Sequence, residues 1–190
     1  MQKIEIEIQV RVENEKPLLD FLGGNAEFKG EKRQIDEYFT PAHRDFISVR
    51  PVKEWLRLRD GGGKCSINYK DWHYDESGKG THCDEYETTI ENIETAKKIL
   101  KALNFKSLVV VDKIRKTWVY KDYEVAVDSV KNLGDFVEIE YIGKDGADPK
   151  KVAEDMVNFL KQVGCGKIER NFVGYPFQLL FGDEVKFEDQ

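Results

Sequence analysis

The chain opens with a segment in which branched aliphatic and polar residues alternate without a break. Across Ile4–Val12 every second residue is aliphatic, and the positions between them hold Glu5, Glu7, Gln9 and Arg11. Because successive side chains on a β-strand point to opposite faces, one face of this segment is wholly aliphatic and the other is polar. The pattern predicts a strand, and its ordinary interpretation is an aliphatic face on a core and a polar face in water.

Three later segments repeat the alternation, and in each of them the charges on one face have a single sign. The like-charged pairs are Arg57 with Arg59, Lys113 with Arg115, and Glu138 with Glu140. Strands whose charged side chains on one face all have the same sign favour a second interpretation. In it, the polar faces line an interior that has acidic walls and basic walls. Such an interior would suit a polyanion bound together with a metal ion.

Turn signals and the spacing of apolar residues predict about eight strands and three helices. Asp60–Gly63 is a hairpin signal between two of the strands. Asp148 and Pro149 are typical of the start of a helix, and Gly164 is typical of its end. The predicted strands cover residues 4–12, 26–39, 55–59, 64–70, 83–89, 108–120, 123–130 and 136–142, and the predicted helices cover residues 16–22, 92–103 and 148–164.

Hairpin-length links between most strands indicate an antiparallel sheet with helices packed outside it, which is the α+β class. Closing such a sheet would hide its charged faces from bulk water, and about eight strands leave an interior that side chains nearly fill or that holds one small ligand. We therefore predict a closed eight-stranded antiparallel β-barrel, or tunnel, with a polar, charged interior and helices packed outside. One domain is expected over residues 1–182, followed by a polar C-terminal tail over residues 183–190.

Composition narrows the classes of protein that fit this chain. With 190 residues, of which 40% are hydrophobic and 12% aromatic, it is expected to be a folded globular protein. Its net charge of −6 gives no general attraction to nucleic acid or to an anionic membrane, so a polyanion site has to be local. No stretch approaches the roughly 20 apolar residues of a membrane span. The three scattered cysteines form neither a disulfide framework nor a zinc site, which favours a cytoplasmic location.

Carboxylates two positions apart on a strand project in parallel, so glutamates on two strands can converge on one point. The candidates are Glu5 and Glu7 on the first strand with Glu138 and Glu140 on a later one. Hard oxygen donors suit Mg²⁺ or Mn²⁺, which bind one or two carboxylates together with substrate phosphates. The alternative is a set of exposed glutamates in ion pairs.

A complementary set of basic residues can bind phosphate oxygens, because arginine offers bidentate contacts and lysine adds a compact charge. The candidates are Arg57, Arg59, Lys70, Lys113 and Arg115. The alternative is that they form salt bridges to the many acids. Asp128 has the parity of an inward residue, and it can assist metals, accept a proton or pair with a nearby lysine.

The order and spacing of these motifs resemble the CYTH, or triphosphate tunnel metalloenzyme, superfamily over nearly the whole chain. The hallmark of that family, Glu-x-Glu-x-Lys, corresponds here to Glu5–Gln9, with glutamine in place of the lysine. The other matching motifs are Leu56–Arg59, Tyr69-Lys70, Glu85–Glu87, Lys113–Arg115, Asp128, Gly134–Glu140 and Tyr175 with Leu179-Leu180. The segment Asp36–Phe46 is similar to the class IV adenylyl cyclase-like branch.

The resemblance implies an eight-stranded tunnel, a triphosphate held by basic residues, and Mg²⁺ or Mn²⁺ held by glutamates. The metal ligands that it implies are Glu5, Glu7, Glu138 and Glu140. The phosphate ligands expected are Arg57, Arg59, Lys70, Lys113 and Arg115, together with Arg11, which can offset the charge that Gln9 lacks. Asp128 and Lys70 are the candidate catalytic residues.

Three functions remain open on this basis. The first is an enzyme of the class IV adenylyl cyclase type, which closes ATP to cyclic AMP and pyrophosphate. The second is a triphosphatase that hydrolyses inorganic, thiamine or nucleoside triphosphate, and the third is a non-catalytic module that binds nucleotide or polyphosphate. In each case the expected partner is a small-molecule triphosphate, with no nucleic acid and no membrane, and a homodimer is left open.

Overall fold

The computed structural model describes residues 6–74, 80–144 and 146–190, without the side chains of residues 80–82. Within this part, the chain forms ten strands and four α-helices. The strands are β1 (Glu7–Val12), β2 (Glu27–Pro41), β3 (Glu54–Asp60), β4 (Cys65–Tyr74), β5 (Gly80–Ile90), β6 (Phe105–Tyr120), β7 (Tyr123–Val130), β8 (Gly134–Tyr141), β9 (Ile168–Arg170) and β10 (Glu188–Asp189). The helices are α1 (Lys16–Asn25), α2 (Ile93–Ala102), α3 (Pro149–Val163) and α4 (Tyr175–Leu180).

The chain divides into two compact units. The terminal unit comprises residues 1–32 and 114–190, and the central unit comprises residues 33–113. Strands β2 and β6 each contribute residues to both units.

In the terminal unit, β1 pairs with β8 and β9, β8 also pairs with β7, and β10 pairs with β9, all antiparallel. The aliphatic face of these strands is buried under α1 and α3. Ile8, Val10 and Ile139 are at most 1% exposed and share one core with Leu22 of α1 and Met156 of α3. Burial of this stripe against the helices leaves the opposite, charged face of the strands for other contacts.

In the central unit, β3 pairs with β2 and β4, and β4 pairs with β5, again antiparallel. Helix α2 covers the aliphatic face, where Leu100 belongs to one core cluster with Phe39, Leu56 and Leu58. The residues between these on β2 and β3 are charged or aromatic and lie on the opposite face. Both units therefore have the same layering, with helix on the aliphatic face and charge on the other.

Local signals begin and end the helices that cover the strands. Asp148 Oδ1 accepts a hydrogen bond from the Lys150 backbone N–H at 3.0 Å, and Gly164 ends α3 with a φ of 92°. At the start of α2, Asn92 Oδ1 accepts from the Thr95 backbone N–H at 2.8 Å. None of the helices in the described part of the chain has both the length and the apolar character that a membrane crossing requires.

The predicted closed eight-stranded barrel is wrong. The ten strands form one antiparallel sheet in the order β10-β9-β1-β8-β7-β6-β2-β3-β4-β5. Among the described residues, the end strands β5 and β10 are not paired with each other, so the sheet is open. The barrel was inferred because charged faces need shielding from water. In the structure, ion pairs within each unit, such as Asp36 with Arg59, offset part of this charge without closure of the sheet.

Candidate active site

The strand register places one set of charged residues on a single face of the central unit. Residues directly opposite each other on neighbouring antiparallel strands share a face. The opposed pairs are Asp36 with Arg59, Tyr38 with Arg57, Arg57 with Asn68, Asn68 with Glu87, and Lys70 with Glu85. We call Asp36, Tyr38, Arg57, Arg59 and Lys113 the Arg57 cluster.

Asp36 and Arg59 form a buried bidentate ion pair. Arg59 Nε donates to Asp36 Oδ1 and Arg59 Nη2 donates to Asp36 Oδ2, both at 2.6 Å. Asp36 is 2% exposed, and burial alone would raise its pKa. The hydrogen bonds and charge of Arg59, with the charges of Arg57 and Lys113, outweigh burial and lower the pKa of Asp36 below its usual value. Asp36 is therefore ionised near neutral pH, and most of the charge of Arg59 is neutralised by it.

Arg57 is less well paired than Arg59. Its Nη1 lies 3.6 Å from Asp36 Oδ2 and its Nη2 lies 3.8 Å from Glu87 Oε2, both beyond hydrogen-bond length. Its Nε is buried and has no hydrogen-bond partner among the described residues. Burial lowers the pKa of Arg57, but the Tyr38 hydroxyl and the Asp36 carboxylate raise it more, so the guanidinium stays charged. Arg57 is thus a cation whose side chain is 14% exposed and whose buried Nε is an unused donor among the described residues.

Of the two lysines in this region, Lys70 has a close carboxylate partner and Lys113 is buried. Lys70 Nζ lies 2.8 Å from Glu85 Oε2. Glu85 also accepts a hydrogen bond from Asn68 Nδ2 at 2.5 Å, and Glu87 accepts one from the same nitrogen at 3.0 Å. Lys113 is 4% exposed and its charge acts on Asp36. These acids orient the basic side chains of β4 within the central unit.

The terminal unit holds a second buried bidentate pair, between Arg115 and Asp128. Arg115 Nε donates to Asp128 Oδ1 at 2.7 Å and Nη2 donates to Oδ2 at 2.6 Å. Nη2 also lies 2.8 Å from Glu138 Oε1, and the Tyr175 hydroxyl donates to Asp128 Oδ2 at 2.9 Å. We call Arg115, Asp128, Glu138 and Tyr175 the Arg115 cluster.

Electrostatics hold the Arg115 cluster in one protonation state. Burial lowers the pKa of Arg115, but Glu138 and Asp128 raise it above its usual value, so Arg115 remains a cation. Burial, followed by the charges of Asp128 and Glu138, raises the pKa of Tyr175 well above its usual value, so its hydroxyl keeps its proton. Asp128 is fully buried and accepts three hydrogen bonds, which fits a role in holding its neighbours better than proton acceptance.

Glutamates form a row across three neighbouring strands of the terminal unit. Glu7 on β1 lies directly opposite Glu140 on β8, and Glu140 lies directly opposite Glu124 on β7. Like charges at opposed positions destabilise a sheet unless cations offset them. Within the described residues, no three acidic, histidine or cysteine side chains are arranged to hold a metal ion. The fourth predicted ligand, Glu5, lies outside the described residues.

The polar residues that follow on β1 contact other parts of the terminal unit. Gln9 lies opposite Glu138, and its Oε1 accepts a hydrogen bond from Gln178 Nε2 at 3.1 Å. The Arg11 guanidinium lies 4.9 Å from the ring centre of Phe136 and 4.3 Å from that of Phe187. Its Nη2 donates to the Leu133 carbonyl oxygen at 3.2 Å. Among the described residues, Arg11 therefore makes structural contacts and is not gathered with the other phosphate candidates.

The described pockets do not coincide with the charged clusters. A pocket of about 380 Å³ in the central unit is lined by residues that include Arg44, Glu54, Trp72 and His73. Its described lining contains none of the predicted phosphate ligands.

Sequence reasoning assigned no site role to five residues that the structure brings to the predicted ones, although Asp36, Tyr38 and Tyr175 belong to motifs named there. They are Asp36, Tyr38, Glu124, Tyr175 and Gln178. The parity of Asp36 and Tyr38 on β2 was visible in the sequence, but their partners depend on the β2–β3 register across the long connection at residues 42–53. Tyr175 and Gln178 lie on α4, a six-residue helix that no periodicity signals.

Comparison with known protein families gives a match over the region that contains most of the candidate site residues. A family model described as the CYTH domain matches residues 3–172. The chain belongs to the CYTH domain family. The resemblance inferred from the motifs is thereby confirmed, whereas the roles of individual residues stay predictions.

Named relatives of this CYTH chain include archaeal and plant proteins. It is 34% identical over 165 residues to "Putative adenylate cyclase MJ0240" of Methanocaldococcus jannaschii, which covers 86% of this chain and 91% of the relative. The PH1819 protein of Pyrococcus horikoshii has a similar structure, with a TM-score of 0.73, 27% identity, and coverage of 95% of this chain and 99% of that one. HpAC1 of Hippeastrum, named a putative adenylyl cyclase with "a dominant triphophatase activity", aligns with a TM-score of 0.67 at 20% identity over 96% and 98% of the two chains.

Proposed function

We propose that this CYTH protein is a divalent-metal-dependent enzyme that acts on a triphosphate, and that it closes ATP to cyclic AMP and pyrophosphate. The observation that carries the proposal is the state of Arg57. Arg57 is a mostly enclosed guanidinium, with its side chain 14% exposed, nearest carboxylate oxygens at 3.6 and 3.8 Å, and an Nε that has no partner in the described residues. Such a cation is costly to keep without an anion. A phosphate group is the anion that a guanidinium matches in shape and charge.

The neighbours of Arg57 prepare it for such an anion. Arg59 holds Asp36 in a bidentate pair, which leaves Arg57 with only a share of that carboxylate. Tyr38 is 7% exposed and lies opposite Arg57, and burial raises its pKa above the usual value, so the hydroxyl stays neutral beside the guanidinium. We assign Arg57 the main phosphate contact and Arg59 the task of fixing Asp36. Lys70 and Lys113 would add charge to the same face.

The glutamates of the terminal unit suit a divalent metal in their chemistry. Glu7 and Glu140 are opposed on paired strands, and Mg²⁺ commonly binds one or two carboxylates, with waters and substrate phosphates completing its shell. Glu138 would join them, although it also lies against Arg115 in the structure. A metal bound there would supply Lewis-acid polarisation of a phosphoryl oxygen. Either Mg²⁺ or Mn²⁺ fits this donor set.

Cyclisation makes one bond and breaks one bond at the α-phosphorus. The ribose 3′-oxygen bonds to that phosphorus, the bond to the pyrophosphate oxygen breaks, and the hydroxyl proton passes to a base or to solvent. Negative charge grows on the departing pyrophosphate, where Arg57 and Lys70 would stabilise it.

Hydrolysis of a triphosphate is the second candidate function. It needs the same binding residues but presents a different phosphorus atom to a water molecule. The 34% identical relative from Methanocaldococcus jannaschii supports cyclisation through its name, and the words "dominant triphophatase activity" for HpAC1 support hydrolysis. The pairing pattern around Arg57 is compatible with both reactions.

A product analysis distinguishes these functions. Purified protein is incubated with Mg²⁺ or Mn²⁺ and with ATP, thiamine triphosphate or tripolyphosphate, and cyclic nucleotide, diphosphate and phosphate are separated. Cyclic AMP with pyrophosphate supports cyclisation, and diphosphate with phosphate supports hydrolysis. Binding of these compounds without turnover would indicate a non-catalytic binding module instead of an enzyme. The neutral Gln9 is the feature that favours this alternative. Absence of both binding and turnover contradicts the proposal.

A further inference from the structure

Gln178 connects the C-terminal helix α4 to the first strand through its side-chain amide. Gln178 is 4% exposed. Its Nε2 donates to the carbonyl oxygen of Val173 at 3.2 Å and to Oε1 of Gln9 at 3.1 Å. An amide NH₂ group has two hydrogens, so both donors of Gln178 are used inside the terminal unit.

These two contacts determine the orientation of both amides. A backbone carbonyl only accepts hydrogen bonds, so the Gln178 atom that faces Val173 has to be the NH₂ group. The Gln9 atom that faces the same NH₂ group then has to be its oxygen. The amide of Gln9 is therefore fixed through Gln178, with Oε1 toward α4 and Nε2 directed away from Gln178.

The NH₂ group of Gln9 is presented on the charged face of β1. Gln9 lies directly opposite Glu138 and shares its strand face with Glu7 and Arg11. Within the described residues, its Nε2 donates no hydrogen bond. An oriented amide donor with spare capacity on a face of carboxylates is suited to an anionic oxygen that arrives with a cation.

We propose that Gln178 is a positioning residue that holds Gln9 as a neutral, oriented donor to an oxygen of the triphosphate. The inference rests on the proposed function. Gln9 and Gln178 act as one unit, because removal of either amide takes away the oriented donor. A lysine at residue 9 would place an ammonium group against the NH₂ group of Gln178, two donors without an acceptor. A lysine at residue 9 would therefore lose the contact with Gln178 that orients Gln9.

A double-mutant cycle tests this coupling. The variants are Gln9→Met, Gln178→Met and the double variant, with the exposed Gln162→Met on α3 as the matched control. Each single variant is expected to weaken tripolyphosphate binding, measured by calorimetry with Mg²⁺, by roughly three- to tenfold. The double variant is expected to bind no more weakly than the worse single variant, because the two residues share one interaction. In turnover assays KM is expected to rise while kcat stays near the wild-type value.

A second measurement on the wild-type protein covers the case in which Gln178→Met fails to fold. The side-chain amide signals of Gln9, identified by their loss in Gln9→Met, are followed by ¹⁵N NMR while tripolyphosphate is added. Movement of these signals at the concentrations at which binding occurs supports the inference. Unmoved Gln9 signals, or additive losses in the double variant, overturn the positioning role while leaving the proposed function in place. A wild-type protein that binds no triphosphate overturns both.

Discussion

The central and terminal units each bury a bidentate aspartate–arginine pair, yet the two pairs have different surroundings. Asp36 holds Arg59 at 2.6 Å through both oxygens, and Asp128 holds Arg115 at 2.7 and 2.6 Å. Beside the first pair stands a second arginine, Arg57, with contacts longer than hydrogen bonds. Beside the second pair stand a further acid and a neutral donor, Glu138 and Tyr175, which complete the pairing.

The difference shows that the same bidentate aspartate–arginine motif can stand in surroundings of opposite charge. In the central unit the aspartate is fully engaged and a cation remains, which suits an anion. In the terminal unit the arginine is fully engaged, and Glu7 and Glu140 lie directly opposite each other, a like-charged arrangement that a cation can stabilise. Arginine count alone does not identify a phosphate site, because an arginine held in a tight bidentate pair with a carboxylate has less capacity to bind a ligand than an arginine without such a pair.

The largest expected effect is on stability, from Asp36→Asn. This change removes the charge that compensates Arg59 and partly Arg57, so we expect the free energy of unfolding to fall by about 3–5 kcal/mol. Urea unfolding followed by circular dichroism measures it. Asp128→Asn should cost less, because Arg115 keeps Glu138 at 2.8 Å. The control is Asp20→Asn, whose pair with Lys16 is exposed and worth at most about 1 kcal/mol.

The same aspartate gives a pH dependence. The pKa of Asp36 in the folded protein is lower than in the unfolded chain, where it is about 3.9. Its contribution to stability is therefore present above about pH 4 and is lost as pH falls through the lower, folded-state pKa. Asp36→Asn should show a flatter loss of stability below pH 4 than the wild type. Parallel acid limbs in the two proteins would mean that Asp36 is not held ionised as described.

The next effect concerns the glutamates of the terminal unit. If Glu7 and Glu140 bind the metal, Glu7→Gln or Glu140→Gln should lower turnover by about 100-fold or more, since a neutral amide is a poor ligand for a hard cation. Steady-state assays over a range of Mg²⁺ and Mn²⁺ concentrations measure it, with the exposed Glu154→Gln on α3 as control. Unchanged metal dependence in both variants would remove these residues from metal binding.

A smaller effect is expected from Tyr175→Phe in the Arg115 cluster. The change removes one hydrogen bond to the buried Asp128 and keeps the ring that packs 5.1 Å from Phe136. We expect a loss of about 1.5 kcal/mol in the free energy of unfolding, as for a hydrogen bond to a charged group. The control is Phe177→Tyr on the same helix. A variant as stable as the wild type would show that the tyrosine hydroxyl does not support Asp128.

Regular elements with strong local signals could be predicted from the sequence. Strand β7 has the predicted bounds, Tyr123–Val130, and α3 begins after Asp148 and ends at Gly164 as its capping residues indicate. Helix α1 runs beyond its predicted end at residue 22, to Asn25, because neither Gly23 nor Gly24 adopts the positive φ that would end it. Strands β9 and β10 have three and two residues, too few for alternation to be seen.

The candidate site could be predicted only in part, for a related reason. Alternation correctly places Arg57 and Arg59 on one strand face, because parity is a local property. Which arginine is neutralised depends on the alignment of Asp36 with Arg59 across the β2–β3 connection, which is not local. The sequence also did not predict that the sheet is open. Pairing between its end strands is set by tertiary contacts, which are not local either.

The central claim is that Arg57, and not Arg59, contributes the main phosphate contact of the central unit. The most direct measurement is the calorimetric affinity for tripolyphosphate, with Mg²⁺, of Arg57→Gln and Arg59→Gln, with the exposed Arg33→Gln as control. The account predicts that Arg57→Gln loses about 1.5–3 kcal/mol of binding free energy while remaining folded. Arg59→Gln should mainly lose stability and, where it folds, keep affinity close to that of the wild type. Wild-type affinity in a folded Arg57→Gln protein would contradict the account.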